Sequence, residues 1–153
     1  MIIHKDINIF DSQAQALIHG CNCQNTMGSG IARQIRERYP EAYETDCKTI
    51  AGDRSKLGHF SWVKTNDGKF HIYNCYSQYR YGRESRHTNY EAIYTGLKDI
   101  KAHAESSGLK ILSLPEHMGC RLGGGSWRVV LAIIQDIFEN DNNTTLIICR
   151  YTP

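Results

Sequence analysis

The stretch "IHGCNCQNTMGSGIA", residues 18–32, joins an apolar run to a helix-like segment through a turn rich in glycine and small polar residues. The apolar run, residues 16–21, has the composition of a buried strand. Apolar residues then recur at helical spacing as far as Tyr39, and Pro40 ends or restarts that helix. In open α/β sheets ligands bind where strands lead into helices, so this junction is the first candidate site.

Five further short runs of β-branched and aromatic residues alternate with helical segments along the chain. With turn residues between them, they predict strands at 1–5, 60–65, 70–76, 110–115 and 145–149. The Asn-Asp-Gly turn in "TNDGK" predicts a hairpin between residues 60–65 and 69–75.

Three more helices follow from apolar spacing and from end signals. The second helix is predicted over residues 40–52. The third begins at the capping-box sequence "TNYE", residues 88–91, and stops at Gly108. The fourth carries an apolar stripe over residues 127–138.

Composition and order of elements limit the class of protein. Strands that alternate with helices over 153 residues predict one α/β domain, residues 1–153, with a mostly parallel sheet covered on both faces. A net charge of +2 is too small to favour nucleic acid as a partner. Without a bilayer-spanning apolar stretch or a signal-peptide shape, the chain is expected to be soluble and cytoplasmic, with no membrane partner. Its six cysteines are expected to be buried thiols rather than disulfides.

The cysteines and histidines leave two alternatives for the opening stretch. Cys21 and Cys23 with His19 suggest zinc, but no second closely spaced pair of ligands follows, so no metal is expected. A nucleophilic cysteine needs a nearby base that lowers its pKa. His19, His71 and His117 are the candidate bases, and the sequence does not give their distances from a thiol.

The glycines favour a third alternative, a site for phosphate groups. Gly28 and Gly30 come just before a helix, so backbone N–H groups and the helix dipole favour an anion there. Glycines 123–125 precede Ser126, a predicted N-cap, and repeat the arrangement. The chain lacks the Gly-Lys-Ser/Thr of a nucleotide P-loop and the third glycine of the dinucleotide fingerprint. Two such loops predict a diphosphate held mainly by main-chain donors.

Five segments, in order along nearly the whole chain, match one family pattern. They are "KDI" (5–7), "IHGCNC…MGSGIA" (18–32), "RHTNYEAI" (86–93), "LPEHMGCRLGGGSW" (114–127) and "RYTP" (150–153). They resemble the macrodomain, an ADP-ribose-binding family, and within it the branch of yeast-type ADP-ribose 1''-phosphate phosphatases and terminal ADP-ribose glycohydrolases. The resemblance implies a three-layer α/β/α fold with a mixed, mostly parallel sheet of about six strands. It also implies ADP-ribose or a derivative as ligand and no cofactor.

The resemblance assigns residues to both ends of the ligand. Asp6 and the Ile7 amide would bind adenine, and Tyr151 would stack on it. Asn22 would contact the distal ribose. The diphosphate and distal ribose would be wrapped by residues of the two loops and their neighbours: Cys21, Met27, Gly28, Ser29, Gly30, Ile31, Gln78, Gly119, Cys120, Arg121, Leu122, Gly123, Gly124 and Gly125.

This chain departs from the glycohydrolase relatives at their two catalytic positions. Ser77 or Gln78 falls near the lysine that attacks the ribose, and Gly123 stands at the position of the assisting aspartate. The family's other route then applies, in which Asn22 and the substrate's own phosphate place a water molecule near the distal ribose. His19, whose ordinary pKa lies near neutrality, is the candidate general base for that route.

Two functions of different class follow. The first is hydrolysis at the distal ribose of ADP-ribose 1''-phosphate or of O-acyl-ADP-ribose. The second is non-catalytic binding of free or protein-linked ADP-ribose, with an ADP-ribosylated protein as partner. RNA binding is a third hypothesis, based only on Arg80, Arg83 and Arg86 interleaved with Tyr79 and Tyr81, which we interpret as a solvated loop beside the pocket. A monomer is expected.

Overall fold

The computed structural model describes residues 1–82 and 85–151, in which six strands form one sheet between helices. The strands are β1 (Ile2–Asp6), β2 (Ala16–Asn22), β3 (Phe60–Lys64), β4 (His71–Gln78), β5 (Ile111–Pro115) and β6 (Thr145–Arg150). The helices are α1 (Gly30–Arg38), α2 (Pro40–Cys47), α3 (Tyr90–Ser106) and α4 (Trp127–Phe138). The strand predictions are confirmed to within two residues at each end, whereas α2 ends well before residue 52.

The sheet is mixed and mostly parallel, as predicted. Its strand order is β1-β6-β5-β2-β4-β3, and β3 alone of these six runs antiparallel, beside β4. The predicted hairpin is confirmed, and its turn is closed by a bond from the Thr65 N–H to the Phe70 carbonyl at 2.8 Å.

Apolar side chains fill both faces of the sheet and give the predicted three layers. Helices α3 and α4 cover one face with residues such as Leu97 and Ile134, and Ile18 of β2 packs against them. Helices α1 and α2 cover the other face, where Ile35 packs on Leu17 of β2. Because both faces are covered, a β2 side chain is buried whichever way it points.

Helix α3 begins one residue later than the capping-box sequence implies. Asn89 rather than Thr88 is the N-cap, and its Oδ1 accepts a hydrogen bond from the Ala92 N–H at 2.9 Å. The Thr88 hydroxyl instead donates to the carbonyl of Gly119 in the loop after β5. Threonine and asparagine both cap helices, so the tertiary contact to Gly119 decides between them. The start of α3 is thereby tied to the second glycine loop.

The carboxyl ends of β2, β4, β5 and β6 share one edge of the sheet, from which both glycine loops depart. A β-bulge interrupts the pairing of β2 with β4 at this edge. Cys21 pairs with Tyr76 and Asn22 with Gln78, so Ser77 is the extra residue of β4. Bulges re-aim side chains and often lie beside functional sites.

Two sequence observations extend beyond the described residues. Arg83 of the arginine–tyrosine cluster lies outside them, and so do Thr152 and Pro153 of the "RYTP" segment. Within residues 1–82 and 85–151, no helix has the length and apolar character needed to cross a bilayer.

Candidate functional site

A cavity of about 800 Å³ opens at the carboxyl edge of the sheet, between the two glycine loops. Most of the residues that the sequence assigned to a ligand line it: Cys21, Asn22, Met27, Gly28, Ser29, Gly30, Ile31, Gln78, Gly119, Arg121, Leu122, Gly123 and Tyr151. The structure therefore brings together residues that are up to 130 positions apart in sequence (Cys21 and Tyr151). The size of the cavity falls in the range of small-molecule sites.

The first glycine loop, residues 23–29, is held by side chains from its own turn and from outside it. Asn22 Oδ1 accepts from the Gln24 N–H at 2.8 Å, and Asn22 Nδ2 donates to the Thr26 hydroxyl at 2.7 Å. The buried Lys56 ammonium donates to the Cys23 carbonyl at 3.1 Å and to Asn25 Oδ1 at 2.6 Å. Asn22 thus holds the turn in shape and also lines the cavity.

The N-terminus of α1 reaches the cavity without a cap. Ser29 occupies the N-cap position, and its side chain makes no capping bond. Among the described residues, the backbone N–H groups of residues 28–31 make no hydrogen bond. Since Gly28, Gly30 and Ile31 line the cavity, these donors and the positive end of the helix dipole are available to a bound anion.

The second glycine loop is packed too tightly to carry a side chain at Gly123. A Cβ added there would lie 2.8 Å from both Gln78 Oε1 and the Gly119 carbonyl oxygen, and closer still to the Thr88 hydroxyl. The Gly123 carbonyl also accepts from the backbone N–H groups of Thr88, at 3.0 Å, and of His87, at 2.8 Å. This glycine is therefore required by close approach rather than by a positive φ.

Three predicted residues of this loop do not line the cavity. The Gly125 N–H donates to the Gly119 carbonyl at 3.0 Å, and the Gly124 N–H to the Arg121 carbonyl at 3.2 Å. The Cys120 thiol donates to the Met118 carbonyl at 3.4 Å. The N–H groups of Gly124 and Gly125 are therefore bonded within the loop in this structure and are not free to bind the predicted diphosphate.

Asp6 and Ile7 also lie outside the cavity, at its edge. The Asp6 carboxylate is exposed and accepts from Arg150 Nε at 2.7 Å, and this hydrogen bond lowers the pKa of Asp6. Arg150 itself lines the cavity and lies 4.0 Å from Glu116 Oε2. Tyr151, next in the chain, lines the same end with an exposed ring.

His19 lies in the core rather than on the cavity, which corrects its assignment as general base. Its Nε2 donates to Asn74 Oδ1 at 2.6 Å, on the face of the sheet that α1 and α2 cover. The residue has no exposed surface, and burial lowers the pKa of His19 to about 4. The imidazole is therefore neutral at physiological pH, and His19 is not among the residues that line the cavity.

The structure does place a thiol beside a histidine, since Cys21 and His19 alternate on one face of β2. The Cys21 sulphur lies 3.6 Å from His19 Nδ1 and 3.5 Å from Nε2. Burial raises the pKa of the Cys21 thiol well above its ordinary value. A thiol and a histidine that both stay neutral do not form the thiolate–imidazolium pair that a nucleophilic cysteine needs. Within the described residues, no three His, Cys, Asp or Glu side chains lie together as a metal-ligand set.

Sequence reasoning missed several lining residues that follow strands directly. Glu116 and His117 come after β5, and their side chains are 3.7 Å apart, Oε2 to Nε2. The glycine-rich segments carry no carboxylate, but the neighbouring Glu116 supplies one to the cavity. The signal that could have found these residues is their position at the carboxyl end of a parallel strand. The lining residues outside the predicted ligand-binding set are Asn8, Ile9, Gly20, Ala32, Gln34, Ser77, Tyr81, Gly82, Pro115, Glu116, His117, Met118, Cys149 and Arg150.

Comparison with known proteins agrees with this geometry. The chain is similar to ADP-ribose glycohydrolase OARD1 of Bos taurus, 28% identical over 127 residues that cover 83% of this chain and 76% of that protein. A shorter match to an ADP-ribose 1''-phosphate phosphatase of Ajellomyces capsulatus is 51% identical over 37 residues, 24% of this chain and 15% of that protein. Among solved structures, the macrodomain of Mycobacterium tuberculosis DarG superposes with a TM-score of 0.80 at 25% identity, over 100% of this chain and 98% of that one. The model of the Macro domain family matches residues 18–134, and the chain therefore belongs to the Macro domain family.

Proposed function

We propose that this protein binds ADP-ribose and hydrolyses a bond at the distal ribose of an ADP-ribose derivative. The observation that carries the proposal is the uncapped N-terminus of α1, which brings the unpaired amides of residues 28–31 to the cavity. A diphosphate is an anion of the size and charge that such a terminus binds. The relatives named as an ADP-ribose glycohydrolase and an ADP-ribose 1''-phosphate phosphatase support the same ligand and a hydrolytic reaction.

The adenine end of the ligand is proposed to lie toward β6, which is next to the edge strand β1. Tyr151 would stack on the base there, as an exposed aromatic ring on the cavity. Asp6 stands at the exposed end of β1, where its carboxylate would accept from the adenine amino group with the Ile7 amide beside it. The ion pair with Arg150 keeps that carboxylate charged and able to accept.

The distal ribose is proposed to lie at the other end, over β2 and β4. Asn22 and Gln78 face each other across the bulged pair of strands, and Gly123 closes against Gln78. None of these three residues is ionisable. The lysine adduct of the glycohydrolase route therefore has no residue to form it, and attack by water is the reaction that the site supports.

ADP-ribose 1''-phosphate and O-acyl-ADP-ribose are the proposed substrates, because both are cleaved by water beside the distal ribose. The site residues hold the ribose and its neighbouring diphosphate, whose own oxygens serve to orient the water. Because His19 lies in the core, its imidazole is not the base of this reaction, and slow turnover is expected.

Calorimetry with ADP-ribose tests the binding, and release of phosphate or acetate from the two substrates tests the reaction. We expect binding and release above the rate in buffer alone. Absence of ADP-ribose binding by the purified protein would contradict the whole proposal.

A reader of free or protein-linked ADP-ribose is the second candidate function. The observation that favours it is the lack of an ionisable group among Asn22, Gln78 and Gly123. Tight binding of ADP-ribose without release of phosphate or acetate would show that the protein is a non-catalytic reader. Pull-down of ADP-ribosylated peptides against their unmodified counterparts then tests the partner.

A further inference from the structure

Ser77 stands at the carboxyl end of β4 as the extra residue of the bulge, directly before Gln78. Its backbone carbonyl accepts from the N–H of Asn89, the N-cap of α3, at 2.9 Å. The bulge and this bond fix the backbone of Ser77 at the end of the cavity assigned above to the distal ribose.

The Ser77 hydroxyl is buried and has no hydrogen-bond partner among the described residues. Burying such a group without a partner costs folding free energy, so each example in a native structure requires an explanation. Ser113 of β5 shows the usual arrangement, because its equally buried hydroxyl donates to the Ala16 carbonyl at 3.0 Å. Ser77 lines the cavity and Ser113 does not.

The space that the Ser77 hydroxyl occupies exists because residue 20 is glycine. A Cβ added to Gly20 would lie 2.7 Å from Ser77 Oγ and 3.7 Å from the Met118 terminal methyl group. Gly20 and Met118 both line the cavity, so the hydroxyl sits among lining residues. The flexible Met118 side chain can shift to admit a ligand group to it.

We propose that the Ser77 hydroxyl binds a hydroxyl group of the terminal ribose and acts as a specificity-determining residue for ligands that carry that sugar. The inference rests on the proposed function, since it takes ADP-ribose as the ligand. A serine hydroxyl donates and accepts, and a ribose hydroxyl does the same, so the two are complementary. The diphosphate needs donors only, and the amides of residues 28–31 supply them. Bulk water does not reach the buried hydroxyl, so a hydrogen bond made there is stronger than one at the surface.

The test compares ADP-ribose with ADP, which lacks the terminal ribose, by calorimetry on wild-type protein and on Ser77→Ala. We expect Ser77→Ala to bind ADP-ribose about tenfold more weakly, the effect of losing one buried hydrogen bond, and to bind ADP as before. Its Tm is expected to equal or exceed that of the wild type, because the hydroxyl removed had no partner to lose.

Ser113→Ala is the matched control. It removes an equally buried serine hydroxyl that does have a partner, so its Tm should fall by about 2–4 °C while its affinity for both ligands stays at the wild-type value. A role of Ser77 in folding alone would instead give Ser77→Ala the profile of Ser113→Ala.

Gly20→Ala provides a second, independent variant. Its methyl group displaces the Ser77 hydroxyl, so affinity for ADP-ribose should fall in the wild-type background. In the Ser77→Ala background the same substitution has no hydroxyl to displace, and the further loss should be small.

The outcomes separate this inference from the function on which it rests. Failure of the wild-type protein to bind ADP-ribose overturns both. Wild-type binding of ADP-ribose together with unchanged affinity in Ser77→Ala overturns only the role of Ser77, as does an equal loss of affinity for ADP and ADP-ribose.

Discussion

At position 123 close packing leaves no room for a side chain. The resemblance to terminal ADP-ribose glycohydrolases implies an assisting aspartate at this position, and the structure leaves no room for one. The obstacle includes the Gly119 carbonyl, which is backbone and cannot rotate away. Thr88 fills the space that a carboxylate at position 123 would need.

Gly123→Asp is expected to lower the stability of the fold without creating glycohydrolase activity. The added Cβ overlaps backbone and side-chain atoms, and overpacking of this kind costs about 1–3 kcal/mol. Thermal unfolding and release of ADP-ribose from an ADP-ribosylated peptide measure the two effects. Gly28→Ala is the control for stability, because its nearest atom, the Thr26 carbonyl oxygen, is 3.9 Å from the added Cβ. A stable Gly123→Asp variant that releases ADP-ribose would show that the loop opens more readily than its packing indicates.

At the scale of elements, the first glycine loop owes its shape to a lysine that sequence reasoning did not single out. Lys56 lies more than 25 positions after the loop, in a short 3-10 turn, yet its buried ammonium bonds to Cys23 and Asn25. The loop connects β2 to α1 and therefore determines where α1 begins. The donors at residues 28–31 are thus positioned from outside the loop.

Lys56→Met is expected to weaken ADP-ribose binding several-fold and to lower the free energy of unfolding by about 1–3 kcal/mol. Methionine keeps the apolar stem but leaves the Cys23 carbonyl without the donor that Lys56 supplied. Calorimetry and urea unfolding measure both effects. Lys48→Met, on an exposed neighbouring lysine, should change neither. Normal affinity in Lys56→Met would mean that the loop holds its shape without the lysine.

The elements themselves were predictable because their signals are local. Apolar periodicity, the Asn-Asp-Gly turn and Pro40 indicated nearly every strand and helix correctly. The start of α3 was not predictable to the residue, since Asn89 and Thr88 compete for the N-cap and a contact to a distant loop selects between them. The bulge at Ser77 was equally invisible, because register depends on two strands and the sequence shows each alone.

At the scale of the whole molecule, the position of the site was predictable from the sequence, whereas the roles of its residues were less so. Both glycine loops were expected at one edge of a parallel sheet, and the cavity lies there. The face on which a β2 side chain lies was not predictable, since both faces are buried. The sequence alone therefore does not distinguish a ligand-facing His19 from the observed one, whose side chain lies toward α1 and α2.

The buried His19 makes the stability of the whole fold depend on pH. Its pKa of about 4 in the folded state lies below the ordinary value of 6.5, so the unfolded state binds more protons between these two values. The stabilisation is complete above about pH 6.5 and is lost as the pH falls toward 4, by about 3 kcal/mol in total. Burial raises the pKa of Asp46, which lies on the same side of the sheet. At acid pH the folded state therefore holds a proton on Asp46 that the unfolded state releases, so Asp46 increases the stability of the fold as the pH falls, opposite to the effect of His19.

The difference between wild-type protein and His19→Gln isolates the histidine, since Asp46 is present in both. Glutamine retains an amide donor for Asn74 Oδ1 and does not titrate, so its free energy of unfolding should fall less steeply between pH 6.5 and pH 4. Urea unfolding at intervals across this range measures the slope. His4→Gln, on an exposed histidine of β1, should reproduce the wild-type slope. Parallel curves for wild type and His19→Gln would mean that the imidazole takes up its proton in the folded core as readily as in the unfolded chain, and that its burial does not govern the acid stability of the fold.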